Sequence, residues 1–432
     1  MKILFASPVH PSKKSGANTY VTNLIDHMKK ENKIELFWII YEENKIRNNE
    51  LEKIYDIRKF KNGKHILDEI KPDMVLAINN KFDSIQCAIS LASKFKKIPL
   101  IHFKVIEKNE ENISTNIEIQ KISRNFQRLK SSDTNSKNHK TFHHILFIMY
   151  KHNFLNKTRS KIGINILKNT QFFFNDITSY FQQKQRMYKI ADLQLVNNLS
   201  WYNIFINLGF NKEKLALTGS PYWDPIFKKV QKYNLINNYD HKKIRILIVT
   251  SPIVEHGYGT YNERDVFLKK IFEELNKHNI EFALKIHPSS EKRDSYEKLL
   301  KNNNLKNLIF QDEKLWDIID KYDIVLTYAY GYPQIECAIG GIRTILLKTE
   351  WEFPELDIVK SAKKAGYLLE SKDFKKIESM IEELISKKIK INNEIFKERE
   401  NLCFRFDGKS SERAKNAIFN LLNEKKVNFD KV

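Results

Sequence analysis

The chain has 432 residues, which is too many for one ordinary hydrophobic core and suits two domains of about 200 residues each. Its formal net charge of +21 predicts an acidic partner: anionic lipid, nucleic acid or phosphorylated small molecules. The three cysteines, Cys87, Cys337 and Cys403, show no paired spacing, so neither a disulfide framework nor a cysteine metal site is expected.

The first residues, MKILFASP, predict a core strand rather than a targeting signal. Their apolar run is shorter than that of a signal peptide. Nowhere do about 18 apolar residues follow one another, so no transmembrane helix is expected. We therefore expect a cytoplasmic protein, with peripheral attachment to the inner face of the cell membrane as the alternative.

Short β-rich runs alternate with helical patterns in the first part of the chain. The predicted strands are KILFAS (2–7), IELFWIIY (34–41), MVLAI (74–78) and PLIHFKV (99–105). After the first strand, GANTYVTNLIDHMKK (16–30) repeats apolar residues at spacings of three and four, which predicts an amphipathic helix. This alternation indicates a parallel sheet with helices on both faces.

Residues 107–185 interrupt the alternation and are predicted to be an insertion with helices of its own. The segment begins polar and charged and then becomes basic and aromatic. Five apolar residues fit one helical face: Phe142, Ile145, Leu146, Met149 and Tyr150. Such a face predicts either a helix packed on the domain or an interfacial helix on an anionic membrane, and the pattern favours neither.

Alternation resumes at 191–227, and an Asn- and Lys-rich stretch, 228–243, is predicted to be a linker. A second domain then opens with the apolar run IRILIVTSP. Its predicted strands are 244–252, FALKI (282–286), NLIF (307–310), DIVLTY (323–328) and RTILL (343–347). We expect two facing, doubly wound α/β domains, 1–227 and 244–410, followed by a C-terminal helix and tail, 411–432.

Ligands of open parallel sheets bind beyond the carboxyl ends of the strands, so two facing sheets predict a site in the cleft between them. After the first strand, the loop 7–20 carries His10 and Gly16. Gly16 permits close approach of a ligand at the start of a helix whose N–H groups suit an anion. His10 is a candidate general base, because a neutral imidazole accepts a proton near pH 7. A histidine in a surface loop is the alternative.

A glycine-containing loop, SPIVEHGYGTYNERD (251–265), follows the first strand of the second domain. Backbone amides around Gly257 and Gly259 suit phosphate oxygens, and Glu255 and His256 are nearby candidates. The spacing matches neither a P-loop nor a dinucleotide fingerprint, so a plain connecting loop is the alternative.

The strand FALKI runs into His287 and Pro288. Since residues before proline avoid the helical region, His287 is expected to remain extended and to point into the crevice. Lys285 lies two residues earlier and therefore on the same side of the strand. We expect this cationic pair to bind a diphosphate, and a strand that merely stops at a proline is the alternative.

A fourth strand end leads into YAYGYPQIECAIGG (328–341). Gly331 is expected to make the turn, and Pro333 fits the first position of the next helix, whose N-terminus then points at the crevice. The carboxylate of Glu336 suits the two hydroxyls of a ribose. Stabilisation of the helix dipole is the alternative for Glu336.

Several segments together resemble the GT-B superfamily of nucleotide-sugar enzymes. They are 191–227, LKIHPSS (284–290), YGYPQIECAIGGIRTILL (330–347) and RFDGKSSERAKNAIFNLL (405–422). They are similar to the surface-polysaccharide branch, which includes glycosyltransferases, CDP-glycerol-type polyol-phosphate transferases and relatives of UDP-N-acetylglucosamine 2-epimerase. SGANTYVTNLIDHM (15–28) also resembles the loop that opens many glycosyltransferases of this fold. The resemblance implies a GT-B fold of two facing Rossmann-like domains and does not cover the insertion.

The resemblance implies that a nucleotide-sugar donor binds mainly to the second domain. His287 would contact the diphosphate, and Glu336 would bind the ribose. The residues that would line the phosphate-binding helix are Tyr330, Gly331, Tyr332 and Pro333. A surface-glycan or lipid-linked acceptor would approach the first domain near His10 and Gly16.

Two departures from the family pattern limit this implication. Many retaining transferases of this fold carry two glutamates eight residues apart, whereas here Tyr328 stands at the earlier position and only Glu336 matches. Epimerases usually carry an Arg/His-rich loop after the first strand of the second domain, which 253–265 matches poorly. The retaining or inverting stereochemistry is therefore left open.

The expected reaction is glycosyl transfer, with Lys285, His287 and helix dipoles stabilising the departing nucleotide diphosphate. Since no Asp-x-Asp follows a predicted strand, the reaction does not require a metal, and no cofactor is expected besides the nucleotide-sugar substrate. A sugar-nucleotide epimerase and a polyol-phosphate transferase are alternatives within the same fold. A basic nucleic-acid-binding protein is the alternative outside enzymes. It would need a basic stripe with stacking aromatic residues, which the sequence lacks, so no nucleic acid is expected as a partner.

Overall fold

Two compact units make up the part of the chain that the computed structural model describes. The described residues are 1–6, 16–31, 33–40, 52–78, 84–103, 149–165, 168, 190–236, 244–255, 258–288, 290–328, 331–349, 356–386 and 393–429. Of these, unit 1 contains the residues within 1–103, 149–224 and 402–429, and unit 2 contains those within 225–401.

Unit 1 contains a parallel sheet of seven strands among its described residues, in the order β3-β2-β1-β4-β5-β6-β7. The strands are β1 (Lys2–Ala6), β2 (Glu35–Ile40), β3 (Glu52–Asp56), β4 (Met74–Ile78), β5 (Leu100–Phe103), β6 (Leu193–Val196) and β7 (Leu215–Leu217). The central strands are almost wholly apolar, because helices cover both faces of a parallel sheet. Separate apolar clusters accordingly lie on the two faces.

Helices follow most of these strands. They are α1 (Gly16–Lys29), α2 (Gly63–Ile70), α3 (Ser84–Phe95), α4 (Leu199–Asn207) and α5 (Trp223–Ile236), with 3₁₀ turns at Ile57–Lys59 and Lys212–Lys214. Asparagine caps in the sequence explain where two of these helices begin. Asn62 accepts the His65 N–H at 3.0 Å and caps α2, and Asn198 accepts the Trp201 N–H at 2.9 Å and caps α4.

Part of the predicted insertion packs on unit 1. Residues 149–161 are helical, and Phe154 and Leu155 are buried in the cluster that includes α2 and α3. The Gly63 N–H donates to Thr158 Oγ1 at 2.8 Å. Met149 is 62% exposed whereas its neighbour Tyr150 is half-buried, so these two do not share one environment. The other predicted members of that face, Phe142, Ile145 and Leu146, lie outside the described residues.

Unit 2 contains a second parallel sheet, with six strands among its described residues in the order β10-β9-β8-β11-β12-β13. The strands are β8 (Arg245–Val249), β9 (Glu281–Lys285), β10 (Ile309–Phe310), β11 (Ile324–Tyr328), β12 (Thr344–Leu347) and β13 (Leu368–Ser371). Numbered from the first strand of each unit, both sheets begin 3-2-1-4-5-6, the Rossmann order. The predicted α/β, doubly wound class is therefore confirmed for both units.

The helices of unit 2 lie between these strands and after them. They are α6 (Tyr261–Lys277), α7 (Arg293–Asn302), α8 (Leu315–Ile318), α9 (Tyr332–Gly340), α10 (Asp357–Lys364), α11 (Ile377–Ser386) and α12 (Asn393–Cys403), with 3₁₀ turns at Ile319–Lys321 and Phe374–Lys376. No helix in the described ranges is both long and apolar enough to cross a membrane.

The unit boundaries differ from the predicted domain limits. Helix α5 continues to Ile236, so 228–236 is helical where a linker was expected. Residues 402–429 belong to unit 1, although the sequence pattern assigned 402–410 to the second domain. The C-terminal helix α13 (Ser410–Phe429) accounts for this, because it packs on α1 and buries Ala414 and Ile418 in the core of unit 1.

The start of α13 is bound to unit 1 by hydrogen bonds. The N–H groups of Ser410 and Ser411 donate to the two carboxylate oxygens of Asp224 at 2.9 and 2.7 Å. Gly219 has a positive φ of 78°, and a Cβ there would lie 2.6 Å from Ser410 Oγ. A glycine is therefore required at this approach of the two segments.

Candidate functional site

The strand order of unit 2 reverses direction between β8 and β11, and open parallel sheets bind ligands beyond the carboxyl ends at such a point. Four residues follow the strands there and define what we call the switch edge: Thr250 and Ser251 after β8, His287 after β9, and Gly331 after β11. Val249 pairs with Lys285 on one side and with Thr327 on the other, so the three strands end at the same level. The Ser251 hydroxyl donates to the Tyr328 carbonyl at 3.0 Å and joins β8 to β11.

His287 is half-buried at the switch edge, and hydrogen bonds hold both its backbone and its ring. Its N–H donates to Glu291 Oε2 at 2.6 Å, and its Nδ1 accepts the Ser290 N–H at 3.2 Å. Since Nδ1 acts as an acceptor, the proton of the neutral ring lies on Nε2. His287 therefore carries a ring donor suited to a phosphate oxygen.

Lys285 is placed differently from His287. It is only 6% exposed, and its Nζ donates to the carbonyls of Ile286 at 2.7 Å and Gln311 at 2.9 Å. Burial lowers the pKa of Lys285 to about 8, and nearby carboxylates oppose that shift. Lys285 thus joins the ends of β9 and β10, and its predicted part in diphosphate binding stays a prediction.

The carboxylates around Lys285 come from several elements. They are Glu313, Glu291, Asp312 and Glu336. Glu336 lies in the second turn of α9 and is 6% exposed, so the structure brings two predicted site residues, Glu336 and Lys285, within electrostatic range. The predicted contact of Glu336 with a ribose stays a prediction.

A buried glutamate that the sequence did not reveal stands behind His287. Glu291 is 3% exposed, and its carboxylate accepts the His287 N–H and the hydroxyls of Thr250 and Tyr296. Burial raises the pKa of Glu291, while these three donors act to lower it. No motif marks this residue, because it lies in the polar stretch SSEKRD.

The polar cluster continues behind Glu291. Arg264 is almost fully buried, and its guanidinium lies 4.4 Å from the centroid of the Tyr296 ring, within cation–π range. It also pairs with Asp265 Oδ1 at 2.7 Å. Tyr328 is fully buried in the same core, and burial raises the pKa of its hydroxyl. The residue at the first glutamate position of retaining transferases therefore belongs to the core.

Helix α9 begins at the switch edge without a side-chain cap on Gly331. Gln334 supplies the local contacts: it accepts the Gly331 N–H at 2.6 Å and donates to Thr327 Oγ1 at 2.8 Å. Gly331 has an extended φ of −162°, and a Cβ there would lie 3.5 Å from Pro333 and 3.6 Å from Gln334. Among the described residues, neither backbone nor packing requires a glycine here, and the N–H groups at the positive end of a helix suit an anion.

Some of the remaining predicted site residues lie at the starts of helices, and the others lie outside the described residues. Gly16 is the first residue of α1 in unit 1. Tyr332 and Pro333 form the first turn of α9 and are half-buried. The other predicted residues, His10, Gly257 and Tyr330, lie outside the described residues, as does His256. Across the described ranges, no group of three or more His, Cys, Asp or Glu side chains is placed to hold a metal ion.

The chain matches no family model and no curated protein. It is similar to several solved structures along nearly its whole length, including three with the following identity, coverage and TM-score. A protein from Listeria monocytogenes, assigned as a UDP-N-acetylglucosamine 2-epimerase, has 14% identity and a TM-score of 0.51, with coverage of 98% of this chain and 97% of that chain. The UDP-GlcNAc 2-epimerase from Methanocaldococcus jannaschii has 14% identity and a TM-score of 0.50, with coverage of 97% and 100%. The wall teichoic acid polymerase TagF, soaked with CDPG, has 11% identity and a TM-score of 0.50, with coverage of 98% and 89%. Together with the two Rossmann-like sheets, this similarity shows the GT-B fold.

Proposed function

We propose that unit 2 binds a nucleoside-diphosphate-linked sugar at its switch edge and that the protein is a glycosyltransferase. One observation carries the proposal. The Nε2–H tautomer of His287 and the glycine-capped start of α9 follow strands β9 and β11, which flank β8 in one sheet. On the usual strand spacing, these ends are about 10 Å apart.

This arrangement suits the departure of a nucleotide diphosphate. Negative charge develops on the leaving group, and donors that are already oriented stabilise it without reorganisation. His287 would donate to a phosphate oxygen, and the positive end of α9 would face the same group. Unit 1 would bind the hydroxyl acceptor, a surface glycan or a lipid-linked glycan, with His10 as the general base.

An epimerase is the second candidate, because two of the similar structures are described as UDP-N-acetylglucosamine 2-epimerases. TagF, described as a wall teichoic acid polymerase, supports polyol-phosphate transfer in the same way. All three reactions would use the same diphosphate site. Acceptor dependence separates the epimerase from the two transferases, and the released nucleotide, a diphosphate in glycosyl transfer and a monophosphate in polyol-phosphate transfer, separates those two. An epimerase converts its nucleotide sugar alone, whereas a transferase releases nucleotide only when a glycan acceptor is present.

The binding test is thermal unfolding with UDP, GDP, CDP and CMP. A ligand that binds only the folded state raises the melting temperature, and we expect one nucleotide to do so. His287→Gln should remove that increase. His278→Gln is the matched control, because His278 lies at the end of α6 and contacts Glu274 and Glu378 instead. No shift with any nucleotide, or equal shifts in the wild type and His287→Gln, would overturn the proposal.

A membrane role for the insertion is a separate part of the proposal. A lipid-linked acceptor would bring the protein to the inner face of the cell membrane, with 107–148 as the contact. The deletion must spare 149–161, because Phe154 and Leu155 belong to the core of unit 1. We expect sedimentation with anionic vesicles to be lost when 107–148 is removed. Unchanged sedimentation would remove the idea.

A further inference from the structure

His287, Ser290 and Glu291 are joined by hydrogen bonds that run in both directions. The Glu291 side chain accepts the His287 N–H at 2.6 Å, and the His287 ring accepts the Ser290 N–H at 3.2 Å. A capping box at a helix start uses the same logic, in which two side chains satisfy backbone N–H groups near each other's positions. Here the pair fixes the backbone of His287 and the orientation of its ring together.

Glu291 is itself held from other elements. Thr250, directly after β8, and Tyr296, on α7, donate their hydroxyls to its carboxylate. Gln311, after β10, donates its Nε2–H to the Glu291 carbonyl at 3.0 Å. Buried polar networks whose members are all paired specify one arrangement of their side chains. This network joins the ends of three strands behind His287.

The carboxylate of Glu291 is an energetically costly group at a buried position. A charged group in this position costs more than an apolar side chain of the same size, because burial penalises the charge. The donors offset that cost, and one of them is the backbone N–H of His287. The electrostatic effect of the nearby Glu255 raises the cost further.

We propose that Glu291 is the positioning residue of the switch edge: it holds the His287 backbone beside Ser290, so that His287 keeps its proton on Nε2 and presents that N–H to a diphosphate. The diphosphate rests on the proposed function, whereas the tautomer does not. In this role Glu291 acts through His287 and not by direct contact with the diphosphate.

The first test reads the tautomer without any ligand. In protein labelled with ¹⁵N-histidine, imidazole NMR reports which ring nitrogen carries the proton, and the His287→Gln spectrum identifies the signal. Wild type should show Nε2–H. Glu291→Met, which keeps the volume and removes the acceptor, should give a mixture of tautomers. Glu291→Gln should restore the wild-type pattern, because its amide oxygen still accepts the His287 N–H.

Two further variants keep this test decisive. Tyr296→Phe removes a different donor to Glu291 and should leave the tautomer unchanged; an equal change there would mean that core packing sets the ring. If Glu291→Met does not unfold cooperatively, Glu291→Asp replaces it, because this carboxylate is one methylene short of the His287 N–H. A folded Met or Asp variant with pure Nε2–H would overturn the inference.

The second test measures binding of inorganic pyrophosphate by calorimetry. Glu291→Met should weaken binding about tenfold, the loss expected for one charge-assisted hydrogen bond, whereas Glu291→Gln should stay close to wild type. Wild-type affinity in Glu291→Met would contradict the inference. If His287→Gln binds pyrophosphate as well as wild type, the proposed function fails, and the tautomer result still decides the role of Glu291.

Discussion

His102 shows what burial does to one ionisable residue. It lies on β5, is fully buried, and its Nε2 is 3.4 Å from the Ser90 hydroxyl. Burial lowers the pKa of His102 to about 4, whereas a histidine in the unfolded chain titrates near its ordinary value of about 6.5. Between these values the unfolded state binds more protons, so the free energy of unfolding decreases as the pH falls through this window.

We therefore predict a histidine-dependent loss of stability in mild acid. Going from about pH 7 to about pH 4.5, wild type should lose on the order of 2 to 3 kcal/mol more than His102→Gln, which stays neutral in both states. Urea unfolding at the two pH values measures the difference. Equal losses in both proteins would show that His102 is not responsible.

Lys285 makes the free energy of unfolding depend on pH in the alkaline range. Its folded pKa of about 8 lies below its ordinary value of about 10.4, so the unfolded state binds more protons between the two. Stability should therefore increase with pH in this interval, relative to Lys285→Met, by on the order of 2 kcal/mol. The measurement is urea unfolding of both proteins at about pH 7.5 and pH 10. A constant difference between them would contradict the prediction.

The sequence marked the positions of His287 and Glu336, and their roles stay predictions. Pro288 marks the strand end at His287, and a glycine and a proline mark the start of the helix that carries Glu336. Glu291 was missed because its partners, Thr250 and Tyr296, come from other elements. A side chain whose role depends on such contacts leaves no local pattern.

Helix α9 is the element at which ligand binding and folding make different demands. Among the described residues, a Cβ at the N-cap Gly331 would meet ordinary contacts, whereas a Cβ at Gly340, the last residue of the helix, would overlap the Trp316 ring. The glycine at the end is therefore needed for packing, and the described contacts do not require the one at the start.

Alanine substitutions separate these two demands. Gly331→Ala should leave the free energy of unfolding within about 1 kcal/mol of wild type and weaken nucleotide binding, because the methyl group occupies the space at the helix start. Gly340→Ala should destabilise the protein by about 1 to 3 kcal/mol through overpacking. Chemical unfolding and nucleotide titration measure both effects. Unchanged nucleotide affinity in Gly331→Ala would place the ligand elsewhere.

Element prediction succeeded for the central strands and failed for two edge strands, β3 and β13, although the edge strand β10 was predicted as NLIF (307–310). The runs that form β1, β4, β8 and β11 are apolar because both faces are covered, and this pattern is visible in the sequence. Strand β3, Glu52–Asp56, is an edge strand with Glu, Lys and Asp among its five residues, and it was not predicted. Strand β13, at the other sheet's edge, was missed for the same reason.

The C-terminal segment completes the core of unit 1. Helix α13 buries Ala414 and Ile418 against α1, and Lys415 pairs with Glu31 at 2.8 Å. The sequence predicted the helix itself but not its partner, since nearly the whole chain separates the two contacting segments.

A chain that ends after residue 401 should therefore lose stability in unit 1 and keep it in unit 2. Hydrogen exchange measures this, because α1 and β1 should lose protection whereas β8 and β11 should retain it. A chain that ends after residue 424 is the control and should behave as the full protein does. Equal loss of protection in both units would contradict the prediction.

Unit 2 is thus enclosed in sequence by the two parts of unit 1, with consequences for the growing chain at the ribosome. About 180 residues separate Asp224 from the helix start that its carboxylate caps, which corresponds to about 10 to 40 seconds of translation. During that time α13 has not yet been synthesised, so the apolar side of α1 stays uncovered, while unit 2 can already fold. We therefore expect the nascent protein to depend on chaperones, because the half that is synthesised first exposes this apolar surface.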